Sequence, residues 1–278
     1  MTRSRSWLFT PATRPDRFAK AGEAGADVLV IDLEDAVAPA DKAQARRGAL
    51  EVLAAGTSCP APLVALRINA LDTPHGIADL HALLASDAAP DFLVLPKTES
   101  ADHLRILDRL CAGCGFDGVR LVALVESARG LADIDAIAAA TPRLHGVMLG
   151  AADMAADLGA EPAWEPLLHA RSRLVAACAA AGVAAIDSPF FDIRDPDGLL
   201  AEIRRGVALG FAAKGAIHPN QVGAVNAALF PTEAQLAEAR AVLAENAKGV
   251  GTVGGRMIDE AVARRARRVL AAAEPDKE

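Results

Sequence analysis

The feature that most constrains this chain is a repeating alternation. Short apolar runs recur at 6–9, 28–33, 63–68, 92–95, 121–125, 146–149, 184–186 and 211–217. Gly, Pro or Asp bounds each run, and each is too short to be a helix of its own. Between them lie Ala-rich stretches with helical spacing, at 42–55, 100–111, 131–140, 169–181 and 199–209. Runs that are apolar throughout, rather than at every second position, belong to strands buried on both faces of a parallel sheet. Eight such runs, each followed by a helix, predict an α/β fold, a (β/α)8 TIM barrel. An open doubly wound sheet is the competing architecture. No GxGxxG, and no GxxxxGK with a following Ser or Thr, succeeds any run, so its nucleotide-binding versions have no support.

The barrel, as the catalytic domain, is expected over 1–230. The remaining 231–278 read as a C-terminal helical extension: a helix from 232 to 246, a Gly-rich stretch at 248–255 taken as a flexible linker, and a helix from 259 to 273. That last helix carries a basic face of Arg264, Arg265, Arg267 and Arg268. A tail of this kind is not needed to close a barrel, which makes it a candidate lid on a neighbouring subunit.

Composition excludes several function classes. The 278 residues carry 29 Lys plus Arg against 36 Asp plus Glu, a net charge of −7. That balance gives no footprint for nucleic acid or an anionic membrane. Tyr is absent and aromatics make up 4%, so base-stacking platforms are not expected. No apolar run approaches the roughly 20 residues that cross a bilayer. The basic start, Met1 to Arg5, has no h-region behind it, so the chain reads as cytoplasmic. Of the four cysteines, Cys59, Cys111, Cys114 and Cys178, two form a single CxxC. Without a second ligand pair at metal spacing, that motif reads as a helix end with small residues.

In a barrel of this type, chemistry sits where the strands end. The residues following the apolar runs are Asp32, Glu34 and Asp35; Arg67 and Asn69; Lys97; Glu126; Asp153; Asp187; and His218. Each has a bland alternative. Asp32 or Asp187 fits a helix N-cap, Lys97 a solvated strand end, and Glu126 a partner for Arg129. Their convergence on one rim is harder to dismiss. Glu126 and Asp153, from adjacent strand ends, have no sequence-adjacent cation that neutralises both. Such a pair suits Mg²⁺, which takes one or two carboxylates and completes its shell with water and substrate oxygens; zinc would recruit His or Cys. Arg67 ends an apolar strand, where a permanent charge needs a partner. Its guanidinium offers a bidentate match to a substrate carboxylate, unless Glu34 or Asp35 pairs with it. A metal and an Arg together form a clamp for a 2-oxo acid.

These residues bear a longer likeness. Arg5-Ser6-Trp7-Leu8-Phe9 with Arg14-Pro15-Asp16-Arg17, Asp32-Leu33-Glu34-Asp35-Ala36-Val37, Arg67-Ile68-Asn69, Leu95-Pro96-Lys97, Glu126-Ser127, Gly150 with Asp153, Ile217-His218-Pro219, and Gly255-Arg256-Met257-Ile258-Asp259 follow one another in order over nearly the whole chain. With them the chain resembles the HpcH/HpaI aldolase and citrate lyase β-subunit (CitE-like) family. The resemblance implies a trimeric or hexameric homo-oligomer and a Mg²⁺-dependent carbon–carbon lyase acting on a 3-hydroxy acyl-CoA or acyl-carrier thioester, such as citryl-, malyl- or citramalyl-CoA. Its products would be an acetyl thioester and a 2-oxo acid. By this likeness Glu126 and Asp153 hold the metal, and Glu126 and Arg67 bind substrate. Glu34 and Asp35 support the metal's waters and Arg67. Asp259 is the acid/base that a neighbouring subunit's tail presents. Arg14 is placed to meet a CoA or carrier phosphate, with a solvated cation before a Pro-started helix as its alternative. One departure stands out: Ala12 replaces the usual Gly after the first strand, where Gly would let the backbone approach a thioester. Other activities open on these residues are a metal-dependent aldolase on free 2-oxo acids, a malate-synthase-like condensation, and a partner-dependent subunit of a citrate lyase complex.

Overall fold

The computed structural model describes residues 4–56, 62–247, 249 and 251–273. The chain forms two compact units, Ser4–Val225 and the part from Asn226 onward.

The first unit is a closed barrel of eight parallel strands. They are β1 (Ser6–Pro11), β2 (Val28–Asp32), β3 (Leu63–Arg67), β4 (Phe92–Leu95), β5 (Arg120–Val125), β6 (Leu144–Leu149), β7 (Ala184–Asp187) and β8 (Ala213–Ala216). Pairing of β1 with β8, Ser6 against Lys214, closes the ring and excludes the open doubly wound sheet. Helices α1 (Phe18–Glu23), α2 (Lys42–Ala55), α3 (Pro74–Leu84), α4 (Ala101–Gly113), α5 (Ala128–Ala132), α6 (Ile134–Ala138), α7 (Ala151–Leu158), α8 (Leu168–Ala181), α9 (Pro196–Leu209) and α10 (Pro219–Leu229) follow the strands.

Strand alternation sorts the side chains into two cores. Trp7, Val28, Val30, Ala65, Phe92, Val94, Val122, Leu124, Met148, Ile186 and Ala213 point inward and fill the barrel. The opposite parity, including Leu29, Ile31, Leu66, Leu93, Leu95, Val147 and Leu149, meets the helices. Each fully buried side chain of this size stabilises the fold by about 1.5–3 kcal/mol. Near the strand starts, Phe92 stacks between Trp7 and His145, with centroids 4.9 and 4.8 Å apart. Burial and the neighbouring Arg120 charge push His145 down to about 4, so it is neutral there.

Helix starts follow side-chain caps. Thr73 accepts from the Gly76 amide at 3.0 Å, ahead of Pro74. Ser127 accepts from Gly130 at 3.1 Å, and Asp195 from Gly198 at 2.9 Å. The helix expected over 131–140 is instead two short ones broken at Asp133, whose carboxylate accepts from the Ala101 amide at 3.3 Å. Cys111 and Cys114 close α4 as free thiols, one buried and one exposed; Cys59 lies outside the described residues.

The second unit contains α11 (Glu233–Asn246), β9 (Gly251–Val253), β10 (Arg256–Ile258) and α12 (Glu260–Ala273). Thr232 and Gln235 form a capping box at the start of α11. Ala239, Val242, Ile258 and Ala266 make its small core. Of the Gly-rich stretch 248–255 expected as a linker, 251–255 instead forms an antiparallel hairpin with 256–258, Val253 against Arg256. Gly254 and Gly255 both take positive φ, 57° and 75°, as a two-residue primed turn requires. Among the described residues no helix is long and apolar enough to cross a membrane.

Candidate active site

The inward parity that fills the barrel with Val28, Val30 and Ala65 continues for one more step, to Asp32 and Arg67. The β2–β3 register sets these two directly opposite each other. Arg67 Nε and Nη2 donate to the two Asp32 oxygens at 2.7 and 2.6 Å. Its Nη1 lies 2.7 Å from Glu34 Oε2 and 3.9 Å from Asp35, and its carbon stands 5.1 Å over the Phe9 ring. Burial alone would lower the Arg67 pKa, but Asp32 and Glu34 hold it above its ordinary value. The fork edge expected to clamp a substrate carboxylate is therefore engaged within the protein. Asp32, read from sequence as a helix cap, is the partner; a buried permanent charge requires one.

Glu126 follows β5 on the same inward parity. Its Oε1 accepts from the Lys97 amide at 2.8 Å. Gly150, at the end of β6, packs against it so closely that an added Cβ would fall 2.4 Å from Glu126 Oε2. Burial, then the Glu34 and Asp153 charges, push Glu126 up to about 8. Asp153, in the first turn of α7, lines a pocket of about 390 Å³ together with Glu126, Lys97, Asp72, Glu99 and Asp157. Among the described residues neither Glu126 nor Asp153 makes an ion pair. Arg129 faces Glu99 instead, at 3.8 Å.

Lys97 completes the rim. It adopts φ 49°, a left-handed conformation unusual for a residue other than glycine. Its Nζ lies 2.5 Å from Glu34 and 3.7 Å from Asp35. Burial opposes the charged ammonium, but the Glu34 hydrogen bond raises its pKa regardless. Burial likewise raises the Glu34 pKa.

A second pocket, of about 400 Å³, is lined by Phe9, Thr10, Arg17, Lys20, Ile217 and His218 at the ends of β1 and β8. Arg14 does not line it. Arg14 is exposed and holds Asp16 bidentately at 2.9 and 2.8 Å, which lowers Asp16 to about 2. Ala12 is buried and its amide donates to the Asp32 carbonyl at 2.9 Å, so that amide is not free for a thioester. Asp259 belongs to the second unit, where it caps α12 by accepting from Val262 at 2.9 Å.

The donor set at Glu126 and Asp153 fits a hard divalent cation. Two carboxylates face one pocket, both cations of the rim are taken by other acids, and no thiolate lines it. Among the described residues no third His, Cys, Asp or Glu converges to form a fuller cage, which suits an ion that keeps waters and substrate oxygens in its shell.

Fold and site thus define a (β/α)8-barrel enzyme with a pair of carboxylates in one pocket and a buried arginine at its C-terminal rim. Residues 5–219 match the HpcH/HpaI aldolase/citrate lyase family. The chain is 36% identical to the L-malyl-CoA/β-methylmalyl-CoA lyase of Rhodobacter capsulatus, over 99% of this chain and 96% of that protein. It is similar to the crystal structure of RipC from Yersinia pestis, at 52% identity and TM-score 0.75, covering 84% of this chain and 99% of that one. It is also similar to CitE from Mycobacterium tuberculosis in complex with magnesium, acetoacetate and coenzyme A, at 37% identity and TM-score 0.81, covering 97% and 98%. The chain belongs to the HpcH/HpaI aldolase/citrate lyase family.

Proposed function

We propose that the chain is a Mg²⁺-dependent carbon–carbon lyase that cleaves a 3-hydroxy acyl thioester into an acetyl thioester and a 2-oxo acid. The observation that carries this reading is the unpaired Glu126 and Asp153 facing one pocket beside a rim whose own cations are already neutralised. The relatives, a malyl-CoA lyase and a CitE bound to magnesium and coenzyme A, support the same assignment.

Glu126 and Asp153 would hold Mg²⁺, which would supply Lewis-acid polarisation of substrate oxygens. The chain's own groups do the rest. Glu126 is kept in place by the Lys97 amide and the absence of a side chain at Gly150. Arg67 is pinned by Asp32, and its uncommitted N–H groups stabilise the oxygen on which charge develops as the C–C bond breaks. One such donor contributes about 3–4 kcal/mol. Asp259, presented by the tail of a neighbouring copy, removes the hydroxyl proton; the electrons of the broken bond pass to the thioester, whose methylene carbon is then protonated. Glu34 and Asp35 steady Arg67 and Lys97. The pocket lined by Arg17, Lys20 and His218 is the place for the thioester's phosphate-bearing carrier, and Arg14 meets it from the first loop by letting go of Asp16. The working enzyme is a cytoplasmic homo-oligomer, trimer or hexamer, with 1–230 as the catalytic barrel and 231–278 as the lid.

Release of glyoxylate, pyruvate or oxaloacetate from the matching CoA thioesters tests the proposal. Release that stops on chelation of Mg²⁺ and returns on its addition is expected. No release from any of the thioesters, or release indifferent to the chelator, would overturn it.

A further inference from the structure

The two rim cations are not equally reachable. The Arg67 side chain is 10% exposed, its fork edge is on Asp32, and it does not line the 390 Å³ pocket. The Lys97 side chain is 45% exposed, and Lys97 is the one lysine or arginine among the described residues that line that pocket. The remaining charged lining is acidic: Asp72, Glu99, Glu126, Asp153 and Asp157. An anion entering such a pocket meets five acids, and Lys97 is the one permanent cation among the described residues of the lining.

The backbone points the same way. Lys97 holds a left-handed φ of 49° although it carries a side chain. Strain of this kind persists where the surroundings over-determine it, and it is found at functional sites. Here one strained residue sends its amide to Glu126 and its ammonium to Glu34, at 2.8 and 2.5 Å. Pro96 before it and Thr98 after it are both fully enclosed, and Thr98 is tied to Leu124 by its amide at 3.0 Å and to Leu95 by its hydroxyl at 2.9 Å. Gly130 packs against the Thr98 carbonyl, where an added Cβ would come within 2.6 Å. The turn is thus clamped from three sides, and the part of it that reaches the pocket is the half-exposed lysine side chain.

We propose that Lys97 is the substrate-binding cation for the carboxylate of the 2-oxo acid. The inference rests on the lyase reading and gives a role to Lys97, which the strand-end pattern places on the rim without one. Lys97 leaves Glu34, which keeps Arg67 as its partner, and turns to the carboxylate oxygen that the metal does not hold. Arg67 then serves the oxygen on which charge develops, and the two cations divide the anion-binding work.

The test is equilibrium binding of glyoxylate and of pyruvate to the full-length protein, with Mg²⁺ and with chelator, in the wild type, Lys97→Met and Lys97→Arg. Mg²⁺ affinity, coenzyme A affinity and melting temperature are measured on the same samples. Lys97→Met is expected to weaken 2-oxo acid binding in Mg²⁺ by about tenfold or more, and Lys97→Arg to restore most of it. Mg²⁺ affinity in Lys97→Met should hold or rise, because a positive charge near Glu126 is gone. Coenzyme A binding should not change. Wild-type 2-oxo acid affinity in Lys97→Met overturns the proposal. Joint loss of Mg²⁺ and 2-oxo acid binding also overturns it, since Lys97 would then act only by holding Glu126. A wild type that binds neither 2-oxo acid in a Mg²⁺-dependent way removes the lyase reading itself, a result distinct from a Lys97→Met that matches a competent wild type.

Discussion

Metal binding at this rim should be linked to a proton, with a predictable size. Glu126 is buried, faces the charges of Glu34 and Asp153, and is pushed up to about 8. A divalent cation needs the carboxylate, so the proton must leave first. At pH 7, one unit below that pKa, about ten protonated sites stand for each ionised one. Apparent Mg²⁺ affinity should therefore rise about tenfold per pH unit up to pH 8 and flatten above it. Calorimetric titration in two buffers of different ionisation enthalpy reads the proton directly: about 0.9 released per Mg²⁺ at pH 7 and about 0.1 at pH 9. Stability of the metal-free protein follows with a definite sign. A carboxyl whose folded pKa exceeds its unfolded one contributes fully below the ordinary glutamate value and loses that contribution as pH rises to about 8. Between pH 6 and pH 8 the loss is roughly 2–3 kcal/mol, so the melting temperature without metal should fall across that window while the shift produced by Mg²⁺ grows. Mg²⁺ affinity that is the same at pH 6 and pH 9, with no proton released, would refute the reasoning, because Glu126 would then be ionised before the metal arrives.

Other consequences can be checked separately. Gly150→Ala places a methyl where Glu126 stands, 2.5 Å from its Cβ, and should lower Mg²⁺ affinity at least tenfold while circular dichroism stays unchanged; wild-type affinity would mean that Glu126 has room to shift. Arg67→Met strands the buried Asp32 without its counter-charge, and urea unfolding should show a loss of about 3–5 kcal/mol, part of which returns in Arg67→Met with Asp32→Leu. Burial holds His145 down to about 4, below its unfolded value, so its contribution is complete above about pH 6.5 and falls away as pH drops. Chemical denaturation at pH 7 and pH 5 should register about 2 kcal/mol less pH dependence in His145→Phe than in the wild type.

Much of the barrel was legible because its signal is long-range and redundant: eight apolar runs with helices between them allow few other packings. What failed was local. The 131–140 helix breaks because Asp133 prefers to cap α4 across the surface, a tertiary contact invisible to periodicity. The first strand and turn of the 251–258 hairpin fall within the 248–255 stretch expected as linker, where the count of glycines outweighs their position. Val253-Gly254-Gly255-Arg256 is the two-residue turn pattern itself. Helix α3 is expected only as one of the helices that follow the strands, without bounds, although Thr73-Pro74 marks its start with a capping hydroxyl before a proline at the first helical position. At the site, residue type and strand end single out Arg67, Glu126 and Asp153, and the structure places Arg67 and Glu126 on the inward strand parity and Asp153 beside Glu126 in one pocket. The Asp32–Arg67 pairing is not legible in that way, because it depends on the β2–β3 register, and register between parallel strands joined by a helix is not written in either strand alone. Lys97 is placed on the rim by the strand-end pattern, but its left-handed φ leaves no sequence trace.

The register also explains why the charge lies where it does. Counting by twos along each strand, Val28, Val30 and Asp32 share the inward face, as do Ala65 and Arg67, and Val122, Leu124 and Glu126. The inward positions between the two ends of the barrel are apolar, since a charge there has neither water nor a partner within reach. The topmost layer differs only in that the strands end and the loops begin, so an inward residue can meet an acid or a cation from the next strand and open toward a pocket. Asp32 and Arg67 use that freedom to neutralise each other; Glu126, one strand pair further round, has no such partner among the described residues, and its carboxyl is pushed up to about 8. Moving either kind of residue one position along its strand would turn it toward the helices, into contact with Leu29, Ile31 or Leu95, and the same charge would then cost stability without reaching a substrate. The chemistry of this rim is thus a property of strand phase as much as of residue type.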